Sequence, residues 1–100
     1  MPKFRNRRTG EILKAIYFDG TDDSYERVKK FFNKHAVIGD KIPPTHQWWP
    51  DCFSIQLVRM AYAVTICPDN FIYITPEKRI ATDRPRDFFE RYRKFKPTLS

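Results

Sequence analysis

Apolar and polar positions alternate along several short stretches of the chain. In residues 11–18, EILKAIYF, a period of two places Ile12, Ile16 and Phe18 on one face and Leu13, Ala15 and Tyr17 on the other. Both faces are apolar, which predicts an inner strand covered on both sides. Residues 53–58, FSIQLV, alternate with Phe53, Ile55 and Leu57 inward. Residues 62–67 (YAVTIC), 70–75 (NFIYIT) and a short piece at Arg79–Ala81 read as further strands. Turns are expected at Asp19-Gly20, Pro68-Asp69 and Thr75–Lys78.

Two segments change period. From Thr21 to about Lys34 or His35, residues Tyr25, Val28, Phe32 and His35 recur at helical spacing, with Phe31 beside them. Asp23 and Glu26 fit a capping box, and Lys29, Lys30 and Lys34 suit the negative end of the dipole. A second helix is expected after Asp83 as cap, with Pro85 in its first turn. Phe88, Phe89, Tyr92 and Phe95 form its buried stripe, and Pro97 stops it. Residues 36–51 hold Gly39, Pro43-Pro44 and Pro50 and read as a loop with a short strand near Val37 or Gln47. The expected order is β-α-β-β-β-β-α. That is an α+β fold, a small antiparallel sheet of about four to five strands with two helices. Residues 1–10 read as a flexible basic arm, 11–96 as a single domain and 97–100 as a tail.

Charge adds an asymmetry. The formal net charge is +7. Residues 1–10 carry four bases (Lys3, Arg5, Arg7, Arg8) and no acid, and residues 77–100 carry eight bases against four acids. The middle is close to neutral. If the two ends meet in space, as termini often do, they form one basic surface suited to phosphates or acidic partners. No run of about 18 apolar residues exists to span a membrane, and the N-terminus lacks the apolar stretch of a signal peptide. These features lead to an expectation of an intracellular protein without membrane association.

Little catalytic chemistry is visible. His35, His46, Cys52 and Cys67 lack metal-ligand spacing, so no metal is expected. No phosphate-cradling glycine loop or nucleophile–base arrangement stands out. The expectation is a non-enzyme without a cofactor. If the strands around Cys52 and Cys67 pair about Arg59-Met60, the cysteines lie opposite and within bridging reach. An intracellular location instead favours two free, inert thiols, and these are the default reading.

His46-Gln47-Trp48-Trp49-Pro50-Asp51 is the most unusual peptide. Two adjacent Trp in a proline-flanked loop do not easily both turn inward. One is expected to cover the core and the other to be exposed, as an interface anchor or a stacking platform. The plainer reading has both closing the core's open end.

Three segments together resemble a family of small, largely uncharacterised proteins encoded by tailed bacteriophages. KAIYFDGTDDSYERVKKFF resembles the family's opening strand, Phe-Asp-Gly-Thr turn and acidic-capped helix. VTICPDNFIYI resembles its later hairpin, and RPRDFFERY its Asp-x-Phe terminal helix. The resemblance covers about half the chain and not its centre. It implies a small α+β accessory protein in the cytoplasm of the infected bacterium that binds and modulates a host component, in host takeover or anti-defence. Trp48 and Trp49 are then the expected apolar anchor, with Arg84, Arg86, Arg93 and Lys94 steering an acidic host protein. Nucleic-acid binding through Lys3, Arg5, Arg7 and Arg8, with aromatic stacking, is the alternative, and capture of a small anionic nucleotide a third.

Overall fold

The computed structural model describes residues 3–95. The elements are β1 (Lys3–Asn6), β2 (Ile12–Phe18), α1 (Asp22–Phe32) with a 3-10 turn at Asn33–His35, β3 (Ala36–Ile38), β4 (Phe53–Leu57), β5 (Val64–Ile66), β6 (Asn70–Ile74), β7 (Ile80–Asp83), α2 (Pro85–Arg91) and β8 (Tyr92–Lys94). Every strand pairing is antiparallel. One sheet has five strands in the order β7-β6-β2-β1-β8, and the other has three in the order β3-β4-β5. The fold is α+β, as expected. Its additional strands are β1, β8 and β3, the last falling where a short strand near Val37 was expected.

The inner position of β2 explains its two apolar faces. On one side Phe18 joins Tyr25, Val28 and Phe32 of α1, Phe53, Ile55 and Leu57 of β4, Ile66 and Ile72, with Ile16 packed against them. On the other, Ala15 joins Phe71 and Tyr73 of β6, Phe4 of β1 and Phe88 of α2. The Phe71 and Phe88 rings stack with centroids 4.3 Å apart, and Phe4 meets each of them edge-on. Such pairs add about 0.5–1.5 kcal/mol each beyond burial.

The first correction concerns the arm. Lys3–Asn6 is a strand between β2 and β8, and Phe4 is buried. The side-chain oxygen of Asn6 accepts the Arg8 and Thr9 N–H groups at 2.8 and 3.0 Å. The Gly10 N–H bonds back to Asn6, and Gly10 takes the left-handed φ of 77° that the turn into β2 requires.

The second concerns the last helix, which ends at Arg91. The chain turns into β8, where Tyr92 pairs with Asn6 and the Phe95 N–H donates to Lys3. The partly exposed ladder of β1 is satisfied this way. Tyr92 still stacks on Phe88, but Phe89 is exposed. The tail and Pro97 lie outside the described residues.

The helix caps also shift. Thr21, not Asp23, caps α1 by accepting the Ser24 N–H. Arg84 occupies the cap position of α2 without a side-chain bond. Asp83 instead accepts the Tyr73 hydroxyl at 2.5 Å and pairs with Arg91.

The third correction concerns the thiols. Phe53 pairs with Ile66, so Cys52 lies opposite Cys67 with Cα atoms 4.3 Å apart, and the two form a disulfide. The register anticipated from sequence holds, while the default of free cysteines does not.

Candidate binding surfaces

The Trp loop is built from its base upward. The Ile42 N–H donates to Cys52 at 2.7 Å, and the Asp51 N–H donates back to Ile42 at 3.0 Å. The disulfide ties the same Cys52 to the β5–β6 turn. Lys41 Nζ lies 2.8 Å from Asp51 and 2.9 Å from Asp22, and donates to the Gly20 carbonyl at 2.9 Å. The hydrogen bond to Asp51, then that to Asp22, raises the Lys41 pKa above its ordinary value. Gly20 adopts a φ of 94°, and a Cβ there would meet the Pro68 ring at 3.0 Å. The turn therefore needs glycine for both conformation and close approach.

The loop tip is held by His46. Its N–H donates to Pro43, and its Nδ1 accepts the Trp48 and Trp49 N–H groups at 3.2 and 2.9 Å. The Trp side chains themselves are 73% and 50% exposed. Neither closes the core. His46, Lys41 and Asp51 were not anticipated as positioning residues; polar side chains flanking a proline loop carry no periodicity that would reveal them.

The expected basic rim divides into two. Asp83 pairs with Phe71, and Asn70 pairs with Phe18, so Arg84 and Arg86 stand at the end of the sheet that carries the Trp loop's base. Arg93 and Lys94 lie on β8, opposite Arg5 and Phe4, level with the first residues of β2 at its other end. The two basic ends of the chain thus do meet, strand against strand. Arg5, Arg7, Arg8 and Arg93 line one concavity with Asn6, Thr9 and Gly10. Arg7 is fixed there by donating from Nε to the Phe89 carbonyl at 2.9 Å. Lys3 lies opposite Lys14, a base that the alternation of β2 concealed.

At the turn into α1, Asp19 accepts the Thr21 hydroxyl at 2.6 Å and the Thr21 N–H at 2.9 Å. These bonds hold its carboxyl below the ordinary range. Among the described residues no three His, Cys, Asp or Glu side chains are placed to hold a metal ion. No helix among them is long and apolar enough to cross a membrane. Comparison with protein-family models, with curated proteins and with solved structures gives no match to this chain.

Proposed function

We propose that the protein is a small non-enzymatic binding module whose principal contact is the Trp48-Trp49 loop. In keeping with the resemblance to phage-encoded proteins, it acts in the cytoplasm of the infected bacterium as an accessory factor that engages a host protein. The observation that carries this reading is the exposure of two adjacent Trp side chains on a loop braced at its base. Exposed Trp side chains are the type of residue that dominates interface energetics, and a braced loop backbone reduces the conformational entropy lost on binding. Lys41 and the backbone pairing brace the loop alongside the disulfide, so part of its support persists in a reducing cytoplasm. Arg84 and Arg86 favour a partner with acidic groups beside its apolar pocket.

The test is capture of a partner from bacterial lysate, followed by titration of that partner with wild type and with Trp48→Ala and Trp49→Ala. At least one substitution is expected to weaken binding by about 30-fold or more, the scale of an interface hot spot. Both variants should melt close to wild type. Unchanged affinity in both, or a large loss of thermal stability, would remove the Trp loop from the binding surface.

A further inference from the structure

The basic face of β8, β1 and β2 has a different organisation from the Trp loop. Residues directly opposite in an antiparallel pair share a face, as do residues two apart on one strand. Lys3 is opposite Lys14, and Arg5 is opposite both Ile12 and Arg93. One face therefore presents Lys3, Lys14, Arg5 and Arg93. Arg7 and Arg8 continue it in the turn that lines the concavity around Arg5 and Arg93. Ile12 on this face is 47% exposed.

Three features of the face call for an anion. Like charges directly opposite one another destabilise a sheet, yet two such pairs occur here side by side. None of these six bases has a carboxylate partner among the described residues. The Nε of Arg5 is buried without a hydrogen-bond partner. An unsatisfied buried donor is costly, and charge-assisted bonds from the terminal nitrogens of the same guanidinium to a phosphate would offset that cost.

The shape selects among anions. From Lys3 to Arg5 the bases run along β1 for roughly 7 Å, at about 3.3 Å per residue, and Arg7 and Arg8 extend the row into the following turn. A track of that length matches several linked phosphates better than one phosphate group. The guanidinium of Arg5 lies 5.1 Å from the centroid of the half-buried Phe95 ring, so an aromatic surface borders the cations. Basic tracks edged by aromatic rings suit single strands, whose unpaired bases offer faces for stacking. We infer that this sheet face binds single-stranded nucleic acid, with Lys3, Arg5, Arg7, Arg8, Lys14 and Arg93 contacting the phosphodiester backbone and Phe95 placed to stack on a base.

The test is fluorescence anisotropy with labelled single strands of about 10 nucleotides, a length within known site sizes. DNA and RNA are the two arms, with the same DNA as a duplex and free ATP as competitors. For single strands log K should fall with log salt by about 0.7 per phosphate contact, hence by about 4.2 when each of the six bases contacts one phosphate. Arg93→Gln and Lys14→Gln alter exposed side chains and leave the fold intact. Each should weaken binding several-fold regardless of sequence and reduce the salt slope by about 0.7. Arg27→Gln, on α1, and Trp48→Ala, at the other end of β2, should bind like wild type. Absence of binding at about 50 mM salt, a range in which such contacts are strong, would overturn the inference. So would equal loss from Trp48→Ala, tighter binding to duplex, or displacement of the strand by stoichiometric ATP, which would point to a nucleotide pocket instead.

Discussion

Single side chains decide how the turns are held. Asp19 is exposed, but its carboxylate accepts two bonds from Thr21, while its own N–H donates to Ser24 Oγ at 3.1 Å. Ser24 Oγ in turn donates to the Tyr17 carbonyl, so the end of β2 and the start of α1 are closed by one small network. Because Asp19 is held below its ordinary pKa of 3.8, its contribution to stability is complete above that pH. It is lost as pH falls through the lower, folded-state value. Urea unfolding at successive pH values should show Asp19→Asn with a flatter acid limb than wild type; parallel curves would exclude this role. The cap illustrates what a sequence can and cannot reveal at this scale. Thr21, Asp22, Asp23 and Ser24 are all capable of capping. The choice of Thr21 is made by tertiary packing, which buries Ser24 against β2.

At the scale of elements, the disulfide and the Trp loop act together. The bridge closes a segment with a sequence separation of 15 residues, and removing it is expected to cost about 3 kcal/mol. Reduction under native conditions should therefore lower the melting temperature while leaving a folded core. Its second effect should be faster proteolytic cleavage within residues 42–51, since Cys52 anchors one side of that loop. A loop no more susceptible after reduction would show that Lys41 and the backbone pairing suffice. The strands β2, β4 and β6 were legible because long runs of alternating apolar residues leave few other solutions. β1 was not, because its four residues hold a single apolar side chain, Phe4, among bases and Asn6. β8 was concealed for another reason. Phe88 and Tyr92 have helical spacing, and they do stack on each other, but across the junction from helix to strand. The Trp pair stood out in the sequence, while its supports did not: His46 is local but carries no periodic signal, and Lys41 reaches Asp22 and Gly20 far along the chain. The four terminal bases were likewise visible, but Lys14 joins them only through strand register.

The whole molecule depends on β1 more than its position suggests. It links β8 to the rest of the large sheet, and Phe4 lies at the centre of the aromatic cluster on one face. Deleting residues 1–6 would remove that ring, a loss of about 3–5 kcal/mol for a buried Phe, and would also leave β8 unpaired. Against a total stability of about 5–15 kcal/mol, the shortened chain is expected to be largely unfolded by circular dichroism and near-ultraviolet absorption. A truncated protein that melted like the full chain would contradict the inner placement of β1. The five-stranded sheet itself ends in β8 on one side, where one row of backbone donors and acceptors has no neighbouring strand among the described residues. An open border of this kind is a template on which a second chain can add. Here it is only three residues long and carries Arg93 and Lys94. Two copies brought border to border would oppose these cations, so the charge that favours a polyanion also resists growth of the sheet into fibres.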